Sequence, residues 1–450
     1  MDTTTTTNHT FAVIGAGMSG ILAGIKLKEA GYPVQIFEKA DRVGGTWREN
    51  TYPGIACDVP SHIYSYSFEL NPDWSSSHSP GEEIQKYLED VAIKYGIEPS
   101  IRFNEGVTRC TWVDGEWEIE TEKGHVERFT WVIAATGILH HPKYPDIEGM
   151  NDFEGPMFHT ARWDHDVEIT GKRVGLIGTG SSGVQITAEV APEVEKLSVF
   201  QRTAQWVVPN ERLVYTEEEK EAFRTDADML QNMHIEMSTA FNDGFATSVI
   251  DGESQLIDDI QNRCLEALET VEDLELREKL RPTYKAACKR LVVSHNFYDA
   301  VQLPNVDIVT EPIERIEKNG VRAGGELHEV DVLALATGFH VDAFMRPMNI
   351  TGRNGIVLDE VWKDWPSAYL SISVPEFPNF FMLNGPNSPV GNFSPTISAN
   401  HGNAMVVDFL TVVTSFSARW KARTQGCFLL DPSRRYGAGH RVPTDSPSRR

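Results

Sequence analysis

Two glycine-rich loops constrain this chain more than any other feature. Gly15-Ala16-Gly17-Met18-Ser19-Gly20 follows the apolar run Phe11-Ala12-Val13-Ile14, and Gly178-Thr179-Gly180-Ser181-Ser182-Gly183 follows Lys172-Arg173-Val174-Gly175-Leu176-Ile177. Beyond each loop, apolar residues return at near-helical spacing: Ile21, Leu22, Ile25 and Leu27 in the first case, Val184, Ile186 and Val190 in the second. Each stretch therefore reads as strand, turn, helix. In such a turn the first glycine allows the tight bend and the second lets the backbone approach a pyrophosphate. The third lets helix and strand pack closely, with the helix N-terminus offered to the phosphates. The expected fold class is α/β, with two dinucleotide-binding (Rossmann-like) domains and a helical insertion in the second.

The residues after the next strand of each unit differ. Val34-Gln35-Ile36-Phe37 delivers Glu38, with Lys39 beside it, about twenty residues past the first glycine, where an acid can accept from ribose hydroxyls. Leu197-Ser198-Val199-Phe200 leads instead to Gln201-Arg202-Thr203. An arginine in place of the acid suits a ribose carrying a 2′-phosphate, so the second unit is expected to take NADPH.

Between and around these units lie the other candidates. Gly44-Gly45-Thr46-Trp47 and Tyr52-Pro53-Gly54 bracket an aromatic-rich loop ending at Asp58, whose apolar neighbours Cys57 and Val59 suggest a carboxylate that needs a cationic partner. Arg290, beside the apolar Leu291, is a candidate for that cation. His62, Tyr64, Tyr66 and Phe68 alternate with smaller residues, as a strand or as packing. Residues 82–95 read as a helix, 107–131 as a small antiparallel sheet, and 306–309 as a return strand. Trp131-Val132-Ile133-Ala134-Ala135-Thr136-Gly137 has a near copy in Val332-Leu333-Ala334-Leu335-Ala336-Thr337-Gly338, so each unit closes with the same strand and turn. Residues 216–281, rich in Leu and Glu and poor in Gly, read as inserted helices. The segment Phe153-Glu154-Gly155-Pro156-Met157-Phe158-His159-Thr160-Ala161-Arg162-Trp163-Asp164 joins the two units. His159 and Trp163, four apart, would share a face if it were helical; as a plain linker it would fill a seam with Phe153, Phe158 and Trp163.

The net charge of −24 disfavours nucleic acid or an anionic membrane as partner, and leaves a small-molecule enzyme as the natural reading. Five scattered cysteines give neither a disulfide framework nor a zinc site. The polar first ten residues lack the pattern of a signal peptide, and no apolar run reaches membrane-spanning length, so a cytoplasmic protein is expected.

Together these residues resemble the class B flavoprotein monooxygenases, and among them the type I Baeyer-Villiger monooxygenases. The joining segment has the form FxGxxxHxxxW followed by Asp, met by Phe153, Gly155, His159, Trp163 and Asp164; Gly45-Thr46-Trp47 through Tyr52-Pro53-Gly54 to Asp58 is similar to a second motif of that family. The resemblance implies FAD and NADPH as cofactors, no metal, and a ketone and O2 as substrates. The reaction it implies is insertion of oxygen beside the carbonyl through a C4a-peroxyflavin, to give an ester or lactone. It implies that Arg290 stabilises negative charge and that Asp58 holds Arg290. Contacts to the cofactors are expected from Gly15, Gly17, Ser19, Gly20, Glu38, Lys39, Gly45, Thr46, Trp47, Asp58 and Tyr64 in the first unit. In the second they are expected from Gly178, Gly180, Ser181, Ser182, Gly183, Arg202, Thr203 and Lys289, with domain coupling through the joining segment.

The expected domains are 1–145 (FAD, first part), 146–330 (NADPH, with an insertion over about 211–285), 331–410 (FAD, second part) and a tail, 411–450. That tail, rich in Arg, Pro and Ser, departs from the family and has the composition of a disordered end. Three rivals share the two-nucleotide plan: a sulfur- or nitrogen-oxidising flavin monooxygenase, an uncoupled NADPH oxidase arising from the altered C-terminus, and a disulfide reductase, for which Cys57 lacks a nearby partner. Ser65-Tyr66-Ser67-Phe68 is similar to the 4-hydroxyacetophenone branch and leans toward aryl or linear ketones. Oligomeric state is left open.

Overall fold

The computed structural model describes residues 9–246, 248–249 and 254–388; the expected tail 411–450 lies outside them. Two five-stranded sheets, all parallel, form its frame. In the first the order is Phe380–Met382, Trp131–Ala134, Phe11–Ile14, Val34–Phe37, Ile101–Arg102. In the second it is Met157–His159, Val332–Leu335, Arg173–Ile177, Lys196–Phe200, Val306–Val309. Strand for strand the two orders correspond. The strand entering each glycine loop is central and fully or almost fully buried, as continuous apolar runs in parallel sheets require. The helices Met18–Glu29 and Ser181–Val190 follow the loops.

The near-copied segments occupy equivalent places, each pairing alongside the strand that enters the glycine loop. Both close on a left-handed glycine, Gly137 at φ 71° and Gly338 at φ 80°. The expected boundary at 330 is thereby corrected: strand Val332–Leu335 still belongs to the second sheet, and the chain returns to the first only afterwards. Each unit also carries an antiparallel meander before its closing strand. The first, Val107–Val113, Glu116–Thr121 and Val126–Phe129, was legible by alternation; the second, Ile313–Glu317, Gly320–Ala323 and Glu326–Glu329, was not foreseen.

Two further expectations change. The joining segment is not helical: Met157–His159 is the edge strand of the second sheet, and a 3-10 turn, Thr160–Arg162, separates His159 from Trp163. Residues 62–68 form turns rather than a strand, with Tyr66 fully buried and its hydroxyl donating to the Met18 carbonyl at 2.6 Å. The Ser65–Phe68 run therefore packs against the first glycine-loop helix.

Each unit has its own core. Phe37, Trp117, Phe129, Val132 and Phe380 belong to the first, Val174, Leu176, Val184, Val199 and Val332 to the second. The insertion is helical as expected, with Glu217–Thr225, Ala227–Thr239, the π-helical stretch Ala240–Ala246, Gln255–Leu268 and Leu274–Lys279. Thr216 and Glu219 close its first helix with a reciprocal capping box. The insertion docks on the first unit at His62, whose buried ring packs against both Tyr215 and Phe223 and whose carbonyl faces His234 Nδ1 at 2.8 Å. Burial, reinforced by nearby His234, pushes the His62 imidazole down to about 4, so it stays neutral near pH 7.

Candidate active site

The two glycine loops form matching cradles. Gly15 sits at φ 101°, and a Cβ there would lie 2.6 Å from the Ala135 carbonyl oxygen; Gly178 sits at φ 110°, with Ala336 O 2.4 Å from its would-be Cβ. The third glycines are tighter still: a Cβ on Gly20 would lie 1.9 Å from Gly15 O, and one on Gly183 2.2 Å from Gly178 O. The middle glycines are different. A Cβ on Gly17 would meet only Gly45 backbone at an ordinary 3.5 Å, and one on Gly180 nothing within 4 Å. Protein packing does not demand glycine at either place, whereas a phosphate approaching the backbone does. Both following helices begin without a side-chain cap, leaving their first N–H groups available to an anion, and the buried Ser181 hydroxyl has no hydrogen-bond partner. These features fit one dinucleotide on each cradle.

The walls of the cradles differ in sign. Glu38 is buried, and its two oxygens accept from Ala16 N at 2.7 Å and Ala40 N at 3.0 Å. A carboxylate offers about four acceptor sites, which leaves room for ribose hydroxyls. Arg48 stands 3.9 Å from Glu38 and 2.9 Å from Glu49, and Lys39 is 3.2 Å from Glu49. In the second unit Gln201 is occupied by the Lys279 carbonyl at 2.7 Å, while Arg202 is exposed and has no acidic partner among the described residues. Thr203 supplies its carbonyl to Thr179 and Gln205. Lys289 is exposed, its ammonium 4.5 Å from the centre of the Tyr284 ring.

Across the first cradle, Gly45 at φ 56° caps the short helix Thr46–Glu49. Trp47 donates from its indole to Tyr64 Oη at 3.1 Å, with the two rings edge to face at 5.5 Å. Asn384 reaches Ser19 Oγ at 3.4 Å, so the last described stretch also touches this cradle.

The loop from Tyr52 to Asp58 lies between the cradles, and Asp58 and Arg290, 232 residues apart, meet there. Arg290 Nη2 donates to Asp58 Oδ2 at 2.5 Å. The Asp58 side chain is 16% exposed and that of Arg290 43%, so the guanidinium is anchored at one edge and still faces outward. Burial works to lower the Arg290 pKa, but the Asp58 charge and hydrogen bond outweigh it and hold the guanidinium above its ordinary value. Arg290 precedes strand Val292–Ser294, which pairs in parallel with Val207–Pro209 just beyond Thr203. The same short sheet thus anchors both the Arg202 and the Arg290 segments.

In the joining segment, Gly155 is required by fit, since a Cβ would lie 2.4 Å from Asp331 O. His159 is buried; its Nδ1 accepts from Ala161 N at 3.1 Å, and burial lowers its pKa. Its ring lies edge-on to Tyr144 and Phe339. Trp163 stands edge-on to Phe158 at 4.9 Å, both packed on the second core, and Phe153 packs on a neighbouring cluster. Asp164 is exposed and accepts from Asp166 N at 3.1 Å in a turn. The residues that sequence reasoning missed are Tyr52 and Gln185, which join the loop to the second cradle; no spacing or composition signals a contact of this kind.

Two nucleotide cradles with a carboxylate–guanidinium pair on the loop between them, its guanidinium still facing outward, define a two-nucleotide flavoprotein. The flavin-binding monooxygenase-like family model matches residues 8–348, and the chain belongs to that family. It is 45% identical over 405 residues to a monooxygenase of Mycobacterium tuberculosis (strain H37Rv), covering 89% of this chain and 81% of that one. It is 36% identical to a Baeyer-Villiger monooxygenase of Streptomyces coelicolor, covering 91% and 79%. The crystal structure of cyclohexanone monooxygenase from Rhodococcus sp. Phi1 bound to NADP+ superposes with a TM-score of 0.79 at 33% identity, covering 91% of this chain and 85% of that one. Within the family the chain is a type I Baeyer-Villiger monooxygenase, and its cofactors are FAD and NADPH. No helix among the described residues is long and apolar enough to cross a membrane.

Proposed function

We propose that FAD lies on the first cradle and NADPH on the second, and that a ketone is oxidised beside Arg290. The overall change balances as ketone, O2, NADPH and a proton giving ester or lactone, NADP+ and water. The observation that carries this reading is the Asp58–Arg290 pair standing between two cradles whose middle glycines are open. Bound FAD, reduced by hydride from NADPH, supplies the electrons that activate O2.

The protein's own residues then have separable tasks. Glu38 accepts from the ribose of FAD, and the N–H groups after Gly17 and Gly180 hold pyrophosphates. Arg202, with Thr203 and Lys289, grips the 2′-phosphate of NADPH, for which an arginine with no acidic partner among the described residues is suited. Arg290, held in place by Asp58, faces the oxygen on which negative charge develops, and because it is fixed beforehand it need not reorganise as the charge forms. His159, neutral and enclosed, holds the joining segment rather than a proton in transit. The FAD-binding unit is accordingly built from two chain segments flanking the NADPH-binding unit. The same reading places the enzyme in the cytoplasm, where thiols such as Cys57, Cys110, Cys264 and Cys288 stay reduced.

The test is a stoichiometry. FAD-loaded protein given NADPH, O2 and a panel of aryl, linear and cyclic ketones is expected to form one ester or lactone for each NADPH consumed, with one oxygen atom of labelled O2 in the product. NADPH consumption matched by hydrogen peroxide for every ketone would contradict the proposal, as would oxidation of sulfides alone.

A further inference from the structure

Gln185 belongs to the second cradle by sequence and to the first unit by contact. It lies one turn into helix Ser181–Val190, and its carboxamide is used at both ends by the loop that carries Asp58. Tyr52 Oη donates to Gln185 Oε1 at 2.9 Å, and Gln185 Nε2 donates to the Ala56 carbonyl at 3.0 Å. Gly54 lies between these two anchor points at φ 76°, and a Cβ there would stand 2.9 Å from the Gln185 carbonyl oxygen. The turn is thus seated directly on the helix. Tyr52 is 7% exposed, and burial pushes its phenol up to about 12, so it is protonated and donates at any working pH. The Ala56 carbonyl can only accept, so it takes the amide Nε2 and leaves Oε1 to accept from the Tyr52 hydroxyl. Ser182, in the first turn of the same helix, also hydrogen-bonds Tyr52. A short covalent step beyond Ala56 stands Asp58, bound to Arg290.

We infer that Gln185, oriented by Tyr52, is a positioning residue for oxygenation: it holds both ends of the 52–56 turn and so sets where Asp58 presents Arg290. The position of the guanidinium then depends on how the NADPH-binding helix is seated against the FAD-binding unit. NADPH held on Ser181–Ser182 steadies the arginine that acts on the ketone. This inference rests on the role given to Arg290 above. It differs from simple interface packing, because a packing contact would not act through the two hydrogen bonds of one amide.

Two measurements test it. In FAD-loaded wild-type protein, NADP+ is expected to slow hydrogen exchange of the 52–58 backbone. In Gln185→Met, of similar volume but without either hydrogen bond, that protection is expected to disappear. Ester formed per NADPH should fall about tenfold, as expected for one lost buried hydrogen-bond network, while the KM for NADPH changes less than about twofold. Tyr52→Phe should show the same split. The double variant should be no worse than either single one, whereas independent contributions would multiply to about a hundredfold. An unchanged ester yield in Gln185→Met, or a yield that falls in step with a rising KM, would overturn the inference. Should Gln185→Met not fold, the wild-type exchange decides alone, and no NADP+-dependent protection at 52–58 would overturn it. Failure of the Arg290 assignment would show separately, as ester still made by Arg290→Ala with the exchange protection intact.

Discussion

The two nucleotide units share a strand order, a loop and a closing turn, yet they treat charge oppositely at the same place. After its second strand the first unit buries Glu38, with both oxygens tied to backbone N–H groups. The second leaves Arg202 exposed, with no acidic partner among the described residues. The first presents a preformed acceptor and the second an exposed cation, the contrast on which the proposed ribose and 2′-phosphate contacts rest. The duplicated scaffold thus differs in one wall residue of each copy, and the proposed reaction centre belongs to neither copy alone. Asp58 comes from the first unit and Arg290 from the second.

The sharpest way to break this comparison is to spoil one cradle at a time. Gly20→Ala and Gly183→Ala each place a Cβ about 2 Å from a backbone oxygen that cannot move aside. Such overpacking costs about 1–3 kcal/mol or more. Gly20→Ala is expected to purify without flavin, as judged by visible absorbance. Gly183→Ala should keep its flavin but lose reduction by NADPH. Loss of flavin from Gly183→Ala would mean that the cradles are not separate sites.

A smaller effect sharpens the contrast in charge. Arg202→Ala removes one charge-assisted contact of ~1.5–3 kcal/mol, so the KM for NADPH should rise about 10- to 100-fold. The KM for NADH, which has no 2′-phosphate, should stay nearly constant in steady-state kinetics. Equal losses for both nucleotides would place Arg202 outside the phosphate site.

The sequence made the repeated frame legible because each part of it is local: an apolar run, three glycines and a helical period leave a continuous signature, and Ala-Thr-Gly marked both closing turns. It also picked out Asp58 and Arg290, one by its need for a cation and the other by its apolar neighbour. What stayed hidden is tertiary. Met157–His159 looks like a linker because its strand partner, Val332–Leu335, lies far along the chain. Gln185 looks like any polar residue of a helix, since its two partners sit more than a hundred residues upstream. The second meander escaped notice because its strands, of four or five residues, are too short to show an alternation.

The most direct test of the claim that the two units share one reaction at Asp58–Arg290 is rapid-mixing absorbance of Arg290→Ala, following the two half-reactions separately. Reduction of the flavin by NADPH is expected to remain, and ester formation after mixing with O2 and ketone to fall by about 10²–10³, the usual cost of removing one fixed donor to developing negative charge. Ester formation at the wild-type rate in Arg290→Ala would contradict the account.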